Sequence, residues 1–369
     1  MQYSMIAPRK YIQGKGVLND IGRYAGLFGK KALVVWGKRA KAAVKDIVVP
    51  SLKKEGVDFV EKVFPGECTH DMSAEFADIA KANNVEVIIA CGGGKVLDCA
   101  KGSAAALDLP MLSVPTIAGT DAPTSGLTVW YNDEGDCLGF DMWKFNPDIV
   151  LVDTGVIAKA PARYFISGMA DALATWLEAE ASFKGRSVTC AGGLPPVAVM
   201  AIAKACYDTL LEFGVEAKSA VELQAVTPAV EKCVEANILM SGLGFESGGL
   251  GSAHAIGNDL PFFHETHDFY HGEKVSFGIV TQLCLDEDLP VSEIYRVVDF
   301  LVEVGLPVCF EDLNVKNADR DKIMQFAEKV TGPGSLAHNH CFEVTAESLA
   351  HAMIAADGLG KRRKQLKRG

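Results

Sequence analysis

Along the first half of the chain, apolar residues fall in short unbroken runs, and between the runs they recur at helical spacing. Residues 31–37, 57–63, 87–91, 110–114 and 148–153 read as strands. A helix is expected from Ala40, another over 73–83 with Asp71 or Ser73 as its cap, and a third over 96–107. Unbroken apolar strands alternating with helices predict a doubly wound α/β fold, a parallel sheet with crossover helices. Residues 127–131, a turn at Asn132-Asp133-Glu134-Gly135, and residues 137–140 predict a hairpin inserted into that rhythm. After Asp153 strand signals stop, and 160–183, 196–213, 219–241, 291–304 and 319–330 carry helical periodicity. The expected organisation is therefore an α/β domain over 1–160 and an all-α domain over 161–369, divided near Pro161.

Composition agrees with two cores: 369 residues are too many for one, and 49% of them are hydrophobic. Lys+Arg 36 against Asp+Glu 47 gives a net charge of −11, which argues against nucleic acid as a partner. No apolar run approaches the roughly 20 residues that span a bilayer, so no membrane association is expected. The first ten residues hold no apolar stretch of a secretory signal. None of the ten cysteines stands in a Cys-x-x-Cys relation. Reduced, mostly buried thiols of a cytoplasmic protein are the expectation. The cationic tail 361–369 reads as a solvated helix end.

Candidate chemistry begins at Gly92-Gly93-Gly94-Lys95, which follows a strand and opens a helix that carries Asp98. Glycines at such a turn let a phosphate approach backbone N–H groups at the positive end of the helix dipole. The next strand ends in a loop rich in hydroxyls and glycine, with Thr116, Gly119, Asp121 and Ser125. Open α/β sheets bind ligands at such carboxyl ends, so two successive loops of this kind point to a dinucleotide. Four of the eight histidines lie within 254–271. His254 and His271 are separated by Pro261, so they meet only by tertiary packing, and Asp171 is a carboxylate in an apolar helical run. Two imidazoles and a carboxylate suit zinc or ferrous iron. From spacing alone, a buried Asp bonded to backbone amides and imidazoles satisfied in a core is the default reading.

The strings GGGKVLDCAK (92–101), PTIAGTDAPTS (115–125), GMADALATW (168–176), ESGGLGSAHAIGN (246–258) and HGEKVSFG (271–278) resemble the glycerol dehydrogenases of the iron-containing (group III) alcohol dehydrogenase superfamily. This resemblance implies the dehydroquinate synthase-like fold, an NAD-binding domain, a helical domain, one divalent metal in the cleft between them, and a homo-oligomer. By position, Asp171, His254 and His271 would hold the metal, zinc or iron. Gly92, Gly93, Gly94, Lys95, Asp98, Thr116, Gly119, Ser125, Leu127 and Tyr131 would line the cofactor. Asp121, His254 and Lys95 are the candidates for acting on the substrate, a small polyol or secondary alcohol, with His267 a possible proton relay.

Three departures stand out. The family's acidic residue after the first strand is replaced by Trp36-Gly37-Lys38-Arg39, and cations there would accept the 2′-phosphate of NADP. Gly119 replaces a serine, and Gly257-Asn258-Asp259 replaces His-Asn-Gly near the pocket. A 2-oxo acid (hydroxycarboxylate) reductase using NADPH is thus an alternative to a glycerol-type enzyme. A sugar-phosphate cyclase of the same fold is disfavoured, because Lys274 is the single fixed cation in 246–278.

Overall fold

The computed structural model describes residues 1–368. In chain order the first half forms β1 (Lys10–Gln13), α1 (Ile21–Ala25), β2 (Lys31–Gly37), α2 (Lys38–Lys54), β3 (Asp58–Phe64), α3 (His70–Ala82), β4 (Val87–Gly92) and α4 (Gly94–Leu107). β5 (Met111–Pro115), the hairpin β6 (Leu127–Tyr131) and β7 (Cys137–Met142), β8 (Ile149–Val152) and α5 (Thr154–Ile157) follow. Six strands make one parallel sheet in the order β1-β8-β5-β4-β2-β3. Every residue of β4, β5 and β8 is buried, as strands covered on both faces require. Alternate side chains of β2 feed two cores: Val34 and Trp36 pack with Val44 and Leu52 of α2, while Leu33 and Val35 pack with Phe76 of α3 and Leu97 of α4. From β2 the chain builds outward to β3 on one side and through β4 and β5 on the other. The order reverses between β2 and β4, the switch point at which such sheets form a ligand crevice.

The second half is helical: α6 (Ala162–Gly185), α7 (Val197–Glu222), α8 (Pro228–Glu235), α9 (Ser241–Gly248), α10 (Ser252–Asp259), α11 (His271–Leu285), α12 (Val291–Val304), α13 (Arg320–Val330) and α14 (Ala346–Arg368). A π-helical turn, Ala236–Met240, joins α8 to α9. Residue 369 of the cationic tail lies outside the described residues. Among those described, all ten cysteines are free, six of them buried, and no helix is long and apolar enough to cross a membrane.

Several elements differ from the pattern-based expectation. β1 was not anticipated, because Lys-Tyr-Ile-Gln is too short and too polar to stand out, and its pairing with β8 creates it. The cap of α3 is neither Asp71 nor Ser73 but Thr69, whose side chain accepts the Met72 N–H, so the helix starts earlier. The helix expected over 219–241 is interrupted. Gln224 adopts a left-handed φ of 56°, and Thr227 caps a new helix whose first residue is Pro228.

Contacts divide the chain into two compact units: Ile6–Phe165 with Ala220–Gly242, and Met1–Met5 with Ile166–Ser219 and Leu243–Gly369. The expected division at 160/161 did not foresee that 220–242 joins the sheet. Hydrogen bonds explain it. Gln13 Nε2 donates to the Glu231 carbonyl (2.8 Å), Thr154 Oγ1 to the Glu231 carboxylate (2.7 Å), and Thr124 Oγ1 to the Ile238 carbonyl (2.9 Å). The first five residues instead bond to Leu194.

Candidate active site

Three helices place the candidate metal ligands. Asp171 lies on α6, His254 is the third residue of α10, and His271 is the first residue of α11. Their ligand atoms all lie within 4.8 Å of one another. Both imidazoles turn Nε2 towards the same Asp171 oxygen, at 3.1 Å from His254 and 3.2 Å from His271, with ring centroids 5.3 Å apart. Asp171 is only 1% exposed. Burial by itself would raise its carboxyl, but the His271 charge and the bonds from both imidazoles hold it well below the usual carboxylate range. Burial would likewise lower His254, yet Glu178 and Asp171 on either side push it well above the ordinary imidazole value.

Close helix contact makes this convergence possible. A Cβ on Gly278 of α11 would fall 2.2 Å from the Ala253 carbonyl oxygen, so the two helices meet backbone to backbone beside His254. Gly257 serves the same contact, since its Cβ would meet Val275 at 2.8 Å. A larger side chain there, such as the histidine of the resembling family, would need the helices to part. Glu178, two turns beyond Asp171 on α6, was not anticipated from sequence. Its Oε2 lies 2.5 Å from His254 Nδ1, and its Oε1 accepts the His254 backbone N–H at 2.8 Å. His267 is exposed and bonds the Pro261 carbonyl.

The cofactor candidates cluster at the strand ends. Gly37 ends β2 and Gly92 ends β4, on neighbouring strands whose register pairs Trp36 with Cys91. Gly93 caps α4 and Gly94 opens it. Lys38 and Arg39 are exposed in the first turn of α2, and Arg39 donates to the Tyr164 hydroxyl at 3.3 Å. The Thr116 N–H reaches the Gly92 carbonyl at 3.0 Å, joining the two loops. Lys95 pairs with Glu67 at 2.5 Å and lies 4.6 Å from the centroid of the Tyr131 ring. A Cβ on Gly119 would stand 3.2 Å from the Tyr164 carbonyl oxygen, a tight contact that a serine would relieve only by a shift of a few tenths of an ångström. Asp121 receives a hydrogen bond from Ser241 Oγ at 2.8 Å.

Asp98 and Ser125 turn inward instead. Lys101, 4% exposed and also unanticipated, bonds Asp98 (2.9 Å), Ser125 Oγ (3.1 Å) and the Leu127 carbonyl (2.8 Å), while the other Asp98 oxygen accepts the Val129 N–H. These groups brace the loop from within α4 and β6 rather than lining its surface.

Residues 8–154 match the family model "Iron-containing alcohol dehydrogenase". A glycerol dehydrogenase from Pseudomonas putida is 41% identical over 361 residues, covering 98% of this chain and 99% of that protein. The chain belongs to the iron-containing alcohol dehydrogenase family. A glycolaldehyde reductase from Halobacterium salinarum is 40% identical over 356 residues, with 96% and 97% of the two chains covered. The crystal structure of a probable glycerol dehydrogenase from Sinorhizobium meliloti superposes with a TM-score of 0.92 at 35% identity, covering 98% of this chain and all of that one. This fold is therefore the one expected, a parallel α/β sheet followed by helices, and the enzyme is an oxidoreductase.

A nicotinamide cofactor and a divalent metal belong to this family's chemistry, and the residues present fit both. One buried carboxylate and two imidazoles converge with their Nε2 atoms inward, a donor set for a borderline cation. The glycine turn offers backbone N–H groups at a helix start, as a pyrophosphate requires.

Proposed function

We propose that this enzyme transfers hydride between a nicotinamide cofactor and a small polyol of the glycerol type or its keto partner, with zinc held by Asp171, His254 and His271. Convergence of those three donors within 4.8 Å supports this reading most directly. When bound, the metal supplies Lewis acidity to a hydroxyl oxygen and the nicotinamide a hydride acceptor. Three protein donors are the number found in catalytic rather than structural zinc sites. Asp121, which accepts a hydrogen bond from Ser241 Oγ, is the candidate acceptor for a substrate hydroxyl on the family resemblance. Lys95 and the N–H groups of Gly93 and Gly94 offset the charge of a pyrophosphate, with Thr116 and Tyr131 beside them. With no carboxylate after β2, Lys38 and Arg39 suit a 2′-phosphate, so NADP(H) serves alone or beside NAD(H). Ten free thiols, six of them buried, support a cytoplasmic site of action, and the family resemblance supports a homo-oligomer.

The test follows reduced-nicotinamide absorbance with glycerol, 1,2-propanediol, dihydroxyacetone and several 2-oxo acids, each with NAD(H) and NADP(H). Polyol turnover lost on chelation and restored by zinc is expected. Turnover of 2-oxo acids alone, or activity indifferent to chelators, overturns the substrate or the metal assignment. Replacing Lys38 and Arg39 by Ala should raise KM for NADP about tenfold or more, a charge-pair effect of at least ~1.4 kcal/mol, and leave NAD unchanged.

A further inference from the structure

We propose that Glu178 is the positioning residue of the metal centre, fixing His254 in one tautomer and one ring orientation so that its Nε2 is free to ligate. This rests on the reading that Asp171, His254 and His271 hold the ion. Asp171 and Glu178 stand seven residues apart on α6, two helical turns, and therefore on one stripe of that helix. Both are shut away from water, Glu178 at 0% exposure. Between them they grip the two nitrogens of one ring, with Nδ1 against Glu178 and Nε2 against Asp171.

A neutral imidazole carries one proton, and a carboxylate only accepts. Glu178 therefore keeps a proton on Nδ1, and Nε2, turned towards Asp171, is the nitrogen left to ligate. Without an acceptor at that place the proton is free to sit on Nε2, a tautomer that cannot bind a cation there. The second oxygen fixes the backbone as well. The His254 N–H is one of the unpaired donors in the first turn of α10, and Glu178 Oε1 takes it, while Gln282 Oε1 takes the neighbouring Ala253 N–H at 2.9 Å. Gly251 just before the helix leaves room, since its Cβ would meet Glu178 Cγ at 3.3 Å. Two donors thus face two acceptor oxygens, and both bonds end on the same histidine.

Glutamine is nearly the same shape but has one acceptor oxygen and one NH2. In Glu178→Gln one of the two N–H donors must face another donor. Zinc affinity is measured by competition with a chromophoric chelator on the full chain, for wild type, Glu178→Gln, Glu178→Asp and His254→Ala. Thermal unfolding of each metal-free protein runs alongside. The expected result is zinc binding about 10–100-fold weaker in Glu178→Gln, the range for outer partners of metal-bound histidines. Glu178→Asp keeps the charge but falls one methylene short, and is expected to weaken zinc in the same direction; it carries the comparison should the Gln variant not fold. A lower metal-free melting temperature with unchanged zinc affinity would make Glu178 a helix cap alone and overturn the proposal. If His254→Ala binds zinc as tightly as wild type, the ligand assignment itself is wrong and this proposal falls with it.

Discussion

Asp171 is the residue on which both imidazoles converge, and its charge is the single negative donor of the three ligands. Asp171→Asn keeps the shape and removes the charge. It is expected to cost more zinc affinity than the ~10–100-fold of an outer partner, and to lower kcat/KM at limiting metal at least in parallel. Near-stoichiometric zinc after gel filtration of the variant would count against the ligand assignment. His340 invites a pH experiment. It is buried against Ser252 Oγ at 2.8 Å, and burial lowers its pKa from 6.5. A folded value below the unfolded one means that the unfolded chain takes up the proton first. Stability from this group is full above about pH 6.5 and declines as pH falls below it. Melting curves between pH 7.5 and 5 should show a smaller acid loss in His340→Gln than in wild type, and equal slopes would refute the assignment. At this scale Asp171, His254 and His271 were legible as a candidate trio, because their surrounding strings are distinctive, and the structure adds their convergence. Glu178, in Trp176-Leu177-Glu178-Ala179, reads as an ordinary helix glutamate, and Lys101 as an ordinary helix lysine. Only tertiary packing shows either to be buried and bonded, and the same packing turns Asp98 and Ser125 inward.

Helices α10 and α11 carry both imidazoles, so their contact decides the site. Gly278→Ala forces a methyl group against the Ala253 carbonyl, with an expected cost of about 1–3 kcal/mol and weaker zinc binding through displacement of His254. Gly358 in α14 has nothing within 4 Å of its would-be Cβ. Gly358→Ala is therefore expected to be neutral or stabilising by about 0.4–1 kcal/mol. Similar melting temperatures for the two variants would show that the helix contact is more yielding than its geometry indicates. Elements whose burial is complete were readable as runs: β4 and β8 are unbroken stretches without a charged residue, β2 is one after Lys31, and the β6–β7 hairpin announced itself by its turn. β1 was not, since an edge strand of four residues gains its shape from a neighbour distant in sequence. Periodicity continued through 219–241 because both pieces bury an apolar face, and it carries no information about the backbone break at Gln224.

In the whole molecule the two candidate ligand sites fall in different compact units. Hydrogen exchange should register this. Zinc is expected to protect amides of α6, α10 and α11, and a nicotinamide dinucleotide those of 92–96 and 116–126. At ligand concentrations of 100 Kd, protection worth about 2.7 kcal/mol is available to whichever amides exchange only by opening the site. Protection by zinc confined to 92–126 would contradict the placement of the metal. A change from strands to helices is visible in the sequence, but the return of 220–242 is not, because single polar bonds such as Asn237 to the Ala118 carbonyl leave no periodic trace. That return limits how the molecule can be dissected. A fragment cut after Phe165 strands the loop over 116–125: Thr124 loses the Ile238 carbonyl, and Asp121 loses the Ser241 hydroxyl. A minimal nucleotide-binding module therefore has to carry residues 220–242 along with the sheet.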